Sequence, residues 1–83
     1  MYSIRVMREA VKDITDLPKD YARWVSEHIN GLGEHPRPMD AKKLKSEKLY
    51  IQRVGIYRIL YEIDDKLQVV TVYHVKHRRD AYR

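Results

Sequence analysis

Residues 49–61 have the sequence LYIQRVGIYRILY and contain the clearest turn signal in the chain. Gly55 and the residue after it separate two segments rich in strand-forming residues. A glycine at the first central position of a two-residue loop is typical of a type II′ turn. Such a turn sets Arg53 directly opposite Arg58. The segment therefore predicts a β-hairpin whose register is fixed by its turn.

A third strand is predicted after the polar turn at residues 64–66. If Ile63 faces Leu67 across this turn, strict alternation assigns every side chain of the meander to one of two faces. The predicted core face carries Tyr50, Val54, Tyr57, Ile59, Tyr61, Ile63, Leu67, Val69, Tyr73 and Val75. The predicted open face carries Ile51, Arg53, Arg58, Leu60, Glu62, Gln68, Val70, Val72, His74 and Lys76.

The first half of the chain predicts a strand and two helices. Apolar residues alternate in the strand at positions 2, 4 and 6, and a first helix has Val11, Ile14 and Leu17 at helical spacing. Pro18 ends that helix and suits the start of a second one, which runs to about Gly31. Its apolar stripe consists of Ala22, Val25, Ile29 and Leu32. We expect one α+β domain over residues 1–83, made of an N-terminal strand, an α-helical hairpin and a three-stranded antiparallel meander, with a possible short C-terminal helix.

Composition argues against several classes of site. The chain has no cysteine, and its four histidines lack the spacing of a metal site, so we expect no metal and no cofactor. The most apolar stretch, residues 67–75, is far shorter than the ~20 residues that span a bilayer. We therefore expect a cytoplasmic protein with no membrane partner.

Positive charge is concentrated in the second half of the chain. Residues 1–41 hold six Lys/Arg and seven Asp/Glu, a net charge of −1, whereas residues 42–83 hold eleven and five, a net charge of +6. Such a concentration is typical of a protein that binds a polyanion. A basic surface that serves only solubility is the alternative, and charge alone does not separate the two.

The predicted arginine pair on the open face is the strongest indication of a specific site. Two like charges directly opposite each other are destabilising unless an anion lies between them, and a phosphate fits the planar arginine fork. Glu62 is the only predicted acid on that face of the sheet. The last strand returns to the same end and adds His74, Lys76, His77, Arg78, Arg79 and Tyr82. We interpret His74 as an ordinary surface histidine, and His77 equally well as a surface residue or a proton carrier.

At this point the sequence resembles the RelE/ParE toxin superfamily, and in particular its RelE-like members. The resemblance runs along nearly the whole chain. It is carried by the first strand and by LPK at 17–19, KLK at 43–45, RVGIYR at 53–58, YEIDD at 61–65 and HRRDAY at 77–82. No single segment is decisive, but the ordered set is specific.

The resemblance implies the toxin of a type II toxin–antitoxin pair, a metal-independent endoribonuclease that cuts messenger RNA in the ribosomal A site. Arg58 and Arg78 would stabilise the developing charge, Arg53 would hold the phosphate, and Tyr82 would serve in proton transfer or base stacking. His77 is a further proton-transfer candidate. The implied contacts to RNA or the ribosome are Lys42, Lys43, Lys45, Lys48, Lys76 and Arg79. The implied partner is an acidic, RelB-like antitoxin that wraps the toxin.

The sequence departs from the RelE-like pattern at one position. Many members carry two basic residues two apart on the strand before the hairpin, whereas here Ile51 occupies the first position and only Arg53 remains. The identity of the general base is therefore open. Two other functions also remain open: a ParE-like inhibitor of DNA gyrase with the same fold, and a nucleic-acid-binding module without catalysis.

Overall fold

The computed structural model describes residues 1–44 and 48–81. Its elements are β1 (Ser3–Val6), α1 (Arg8–Thr15), α2 (Lys19–Gly31), β2 (Ala41–Lys43), β3 (Leu49–Val54), β4 (Tyr57–Asp64) and β5 (Val69–His77). The five strands form one sheet in the order β1-β5-β4-β3-β2, in which β1 is parallel to β5 and the other pairs are antiparallel. The predicted α+β class and order of helices and strands are confirmed. The short edge strand β2 was missed, because three residues after a proline-rich loop give too little pattern to recognise.

The predicted hairpin between β3 and β4 is confirmed residue for residue. Arg53 pairs with Arg58, and Val54 pairs with Tyr57 on either side of the two-residue loop. Gly55 has a φ of 60°, the left-handed value that the first central position of a type II′ turn requires. The turn therefore sets the positions of the two arginines.

The predicted register of the last strand is wrong. Ile63 pairs with Val70 rather than Leu67, and an irregularity between Leu60 and Tyr61 shifts the ladder by one residue. This β-bulge leaves Tyr73 as an extra residue, so the strict alternation on which the prediction relied fails. Val70 and Val72, predicted on the open face, are fully buried, whereas Leu67, predicted in the core, is 72% exposed. Val69 and Tyr73, also predicted in the core, are only half-buried.

The helices cover one face of the sheet. Pro18 is the N-cap of α2, as predicted, and Val25, Ile29 and Leu32 are buried against the sheet. In α1 the buried residue is Ala10, whereas Val11, predicted on the apolar stripe, is 50% exposed.

Positions 78–81 form turns, without a helix. Neither of the two helices in the described ranges combines the length and the apolar character that crossing a membrane demands.

Candidate phosphate-binding site

Three cationic side chains lie in a row across adjacent strands on the face away from the helices. Arg53 of β3 pairs with Arg58 of β4, and Arg58 pairs in turn with Lys76 of β5. We call these three residues the cation row. Like charges at directly opposite positions repel each other, so the row is an unfavourable arrangement for the protein alone.

The guanidinium of Arg58 is held at the hairpin turn. Its Nη1 donates to the carbonyl oxygens of Gly55 and Tyr57, both at 3.0 Å, and its buried Nε has no hydrogen-bond partner among the described residues. The backbone N–H of Arg78 donates to the carbonyl oxygen of Ile56 at 2.7 Å, which ties the end of β5 to the same turn. One turn therefore positions residues from two separate parts of the chain.

No carboxylate in the described part of the chain forms an ion pair with the cation row. Over residues 1–44 and 48–81 the ion pairs are Arg37 with Asp65 and His74 with Asp13, and both lie outside the row. Glu62, two residues beyond Leu60 on β4, instead accepts a hydrogen bond of 3.3 Å from the hydroxyl of Tyr73. This carboxylate and burial together raise the pKa of Tyr73. Because no ion pair within the described residues offsets its positive charge, the cation row is a candidate site for an anion.

A concavity of about 270 Å³ adjoins Arg53 and extends the site toward β2. Its lining residues are Met39, Asp40, Ala41, Lys42, Ile51 and Arg53. Ile51 is buried on the same face as the cation row, and Lys42 lies directly across from it on β2. A cation is thus present beside Ile51, but on the neighbouring strand.

The structure separates the other predicted contact residues between two faces. Lys42 shares the face of Arg53, whereas Lys43 pairs with Tyr50 and points to the other side of the edge strand. Lys48 and Arg79 are exposed. Lys45 and Tyr82, which were predicted as an RNA contact and a catalytic residue, lie outside the described residues.

The side chain of His77 lies on the helix-covered face. His77 pairs with Tyr57, and their rings meet edge to face at 5.9 Å between centroids. Its Nδ1 accepts a hydrogen bond of 3.2 Å from the backbone N–H of Arg79. His77 therefore lies at the same end of the sheet as the cation row but on the opposite side.

Sequence reasoning missed Asp13, and it treated His74 as an ordinary surface residue. His74 lies on the face of the cation row as predicted, the bulge adds Tyr73 to that face, and Asp13 of α1 reaches His74. The apolar residues Val70, Val72 and Val75 were the available signal, because the change from a spacing of two to a spacing of three indicates an inserted residue.

Comparisons with known proteins give consistent results. A family model described as the ParE toxin of type II toxin–antitoxin systems matches residues 4–82. Toxin RelG of Mycobacterium tuberculosis is 35% identical over 85 residues, which cover 99% of this chain and 97% of RelG. A chain of the archaeal RelE–RelB complex from Pyrococcus horikoshii has a TM-score of 0.85 and 30% identity, with 96% of this chain and 98% of that chain covered. For the toxin–antitoxin complex RelBE2 of M. tuberculosis the TM-score is 0.83 and the identity 32%, with 93% and 98% covered.

Proposed function

The chain belongs to the ParE toxin family of type II toxin–antitoxin systems, and from this premise we propose that it is a metal-independent, ribosome-dependent endoribonuclease. The proposed substrate is messenger RNA in the ribosomal A site, and the proposed place of action is the cytoplasm. The observation that carries the proposal is the cation row, Arg53, Arg58 and Lys76, with which no carboxylate of the described residues forms an ion pair. A phosphate bound there relieves the repulsion between the cations.

The proposed reaction uses the ribose as its own nucleophile. The 2′-oxygen forms a bond to the neighbouring phosphorus, the bond from phosphorus to the 5′-oxygen breaks, and the products are a 2′,3′-cyclic phosphate and a 5′-hydroxyl. Negative charge on the phosphate oxygens increases in the transition state, and fixed guanidinium groups stabilise such charge. We assign this role to Arg58 and Arg78, and the holding of the phosphate to Arg53.

The remaining predicted residues have proposed supporting roles. Tyr82 would stack on a base or transfer a proton. The predicted proton-transfer role of His77 is not carried into the proposal, because its side chain lies on the opposite face of the sheet from the cation row. Contacts to RNA phosphates come from Lys42, Lys43, Lys45, Lys48, Lys76 and Arg79. Phosphate contacts position a nucleic acid without reading its sequence.

An antitoxin partner is supported by the comparisons, because the similar structures from P. horikoshii and M. tuberculosis are toxin–antitoxin complexes. We propose that the partner of this chain is an acidic, RelB-like protein that folds on binding and wraps the toxin. Its negative charge complements the net charge of +6 in residues 42–83.

The test is cleavage of messenger RNA on translating ribosomes by the wild type, by Arg58→Ala and by the control Arg23→Ala, which alters an exposed arginine on α2. Primer extension locates the cuts. We expect the wild type and Arg23→Ala to cleave at equal rates, and Arg58→Ala to be slower by about 10²–10³-fold, the cost typical of a lost transition-state donor. Ribosome binding should survive in all three.

Two results would contradict the nuclease proposal. Intact messenger RNA together with arrested DNA supercoiling would favour a gyrase inhibitor. Intact messenger RNA with only a partial loss of ribosome affinity in Arg58→Ala would favour a binding module without catalysis.

A further inference from the structure

Asp13 and His74 form a contact that lies outside the cation row. Asp13 lies on α1 and His74 on β5, 61 positions apart in the chain. The Oδ2 atom of Asp13 accepts a hydrogen bond from the backbone N–H of Val75 at 3.0 Å and lies 3.3 Å from Nδ1 of His74. The side chains of both residues are partly exposed, at 38% for His74 and 30% for Asp13.

The carboxylate of Asp13 lies at the edge of β5 because of the way the strands end. Strand β1 ends at Val6, which pairs with Val72, so beyond Val72 no strand of the described residues neighbours the outer edge of β5. Asp13 binds the N–H of Val75 on this free edge and is thereby fixed in place. Next to it, His74 pairs with Leu60 and lies two residues before Lys76, so its side chain is on the face of the cation row.

The contact with Asp13 determines which nitrogen of His74 is available. A carboxylate accepts hydrogen bonds, so the neutral imidazole places its proton on Nδ1 and leaves Nε2 as an acceptor. Among the described residues nothing in the protein hydrogen-bonds to Nε2. A carboxylate behind a histidine is also the arrangement that orients an imidazole for proton transfer.

His74 is close to the cation row. It pairs with Leu60, and Arg58 and Lys76 are its next neighbours on the same face. Diagonal neighbours on one face of an antiparallel sheet lie about 7–8 Å apart, so a phosphate held by Arg58 is within reach of a histidine at this position. Ile51, in contrast, offers no atom that can accept a proton.

We propose that His74 is the general base of the nuclease and that Asp13 is the residue that positions it. The proposal rests on the proposed ribonuclease function. Nε2 of His74 takes the proton of the 2′-hydroxyl as the 2′-oxygen bonds to phosphorus. The leaving 5′-oxygen takes a proton from water, and the hydroxide that remains takes the proton back from Nε2, which restores the neutral imidazole. The carboxylate of Asp13 stabilises the imidazolium that forms.

The pH dependence of cleavage follows from the groups that face His74. These are Asp13 from α1, Arg58 and Glu62 from β4, and Tyr73 and Lys76 from β5. Histidine is the side chain in this set that ordinarily changes charge between pH 5 and 8. Cleavage should therefore fall toward acidic pH, since only a neutral imidazole accepts a proton.

The experiment measures single-turnover cleavage of ribosome-bound messenger RNA between pH 5 and 9 for the wild type, His74→Gln, Asp13→Asn and the control His28→Gln. His28 is on α2 and contacts the carbonyl oxygen of Trp24. We expect His74→Gln to be slower by about 10²-fold or more, the usual contribution of a general base, with unchanged ribosome affinity and a flat rate between pH 5 and 8. His28→Gln should match the wild type.

Asp13→Asn tests the positioning role, because its amide oxygen can still accept the Val75 N–H. We expect the rate to fall by about 10-fold and the acidic limb of the pH profile to move to lower pH, since the imidazolium loses its counter-charge. Circular dichroism checks that each variant is folded.

The outcomes separate the two proposals. An active wild type with His74→Gln within twofold of it would refute the histidine base and leave the nuclease intact. An unchanged pH profile in both variants would likewise reduce Asp13 and His74 to a structural contact. A wild type that leaves the message uncut would overturn the nuclease proposal and, with it, this base.

Discussion

Arginine serves two different purposes in this molecule, and the surroundings of each side chain tell them apart. Arg37 donates two hydrogen bonds to the carboxylate of Asp65, at 2.7 and 3.1 Å, and a third to the hydroxyl of Tyr50 at 3.0 Å. Asp65 also accepts a hydrogen bond of 2.5 Å from Tyr2. Arg37 therefore joins the loop after α2 to the β4–β5 turn and the N-terminus. The guanidinium of Arg58, in contrast, donates hydrogen bonds only to carbonyl oxygens among the described residues.

The Arg37–Asp65 contact predicts how stability depends on acidic pH. Hydrogen bonds from Arg37 and Tyr2 lower the pKa of Asp65 from 3.8 to about 2. A carboxyl with a lowered pKa stabilises the fold above its ordinary pKa, and this contribution disappears as the pH falls through the lowered value. We expect Asp65→Asn to reduce the free energy of unfolding near neutral pH and to flatten its decline between about pH 4 and pH 2.

Urea unfolding at a series of pH values measures this effect. The control is Asp16→Asn, because Asp16 is an exposed carboxyl at the end of α1 and has no hydrogen bond from its side chain to the described residues. If the free energy of unfolding declined as steeply toward acidic pH in Asp65→Asn as in Asp16→Asn, the Arg37 contact would not contribute to stability. Because Asp65 is exposed, salt should weaken the difference between the two variants.

The hairpin of β3 and β4 is the element on which the candidate site depends. Its turn sets Arg53 opposite Arg58, anchors Nη1 of Arg58, and accepts the N–H of Arg78. The turn also packs on α2, since a Cβ added at Gly55 would lie 3.0 Å from the ring of Trp24 and 3.2 Å from that of Tyr21. Helix α2 therefore packs against the turn.

Gly55→Ala should disturb the turn in two ways. The positive φ strains any residue with a Cβ, and the added methyl group presses on the two rings. We expect a loss of about 1–3 kcal/mol in the free energy of unfolding and slower cleavage at a temperature where the variant is still folded. Thermal and urea unfolding measure the first effect, and the messenger cleavage assay measures the second.

Gly31→Ala is the matched control for this substitution. Gly31 is the last residue of α2, and a Cβ built on it meets no atom within 4 Å. Alanine is the better helix former, so we expect no loss and a gain of up to about 1 kcal/mol. Equal effects of the two substitutions would contradict the special role of the turn.

Helices and strands whose arrangement depends on local sequence could be predicted, whereas those that depend on distant contacts could not. The β3–β4 hairpin was predictable because its register depends on one local signal, the glycine of a two-residue loop. The register of β5 was missed, because a bulge near Tyr73 breaks the alternation and its local signal is only the change in apolar spacing from two to three after Val72. The contact between Asp13 and His74 forms only when α1 packs at the edge of β5, which no local pattern encodes.

At the scale of the whole molecule, the excess positive charge divides into a focused and a diffuse part. The cation row forms the focused part. The diffuse part consists of exposed lysines near β2 and β3, of which the described members are Lys42, Lys43 and Lys48. Because Lys42 and Lys43 point to opposite sides of the edge strand, the three lysines cannot all contact one phosphate. They suit the larger, sequence-independent surface of ribosomal RNA.

This division predicts opposite defects in binding and in cleavage. Neutralising Lys42, Lys43 and Lys48 together by alanine should weaken ribosome binding and make it less sensitive to salt. Each lost phosphate contact removes about 0.7–0.9 from the slope of log K against log salt concentration, so three contacts remove about 2. At saturating toxin the cleavage rate should stay near that of the wild type, whereas Arg58→Ala should bind normally and cleave poorly.

A control triple variant with the same net charge decides whether the position of the charges matters. Arg8, Lys12 and Lys19 are exposed cations on the helical side of the molecule, and their replacement by alanine lowers the charge equally. If long-range attraction from the net charge governed binding, both triple variants would lose affinity and salt sensitivity alike. If direct contacts near β2 govern it, as we expect, only the variant at Lys42, Lys43 and Lys48 shows the smaller slope. A similar slope in both variants would remove the basis for treating these lysines as an RNA-binding surface, because only their charge, and not their place on the sheet, would then matter.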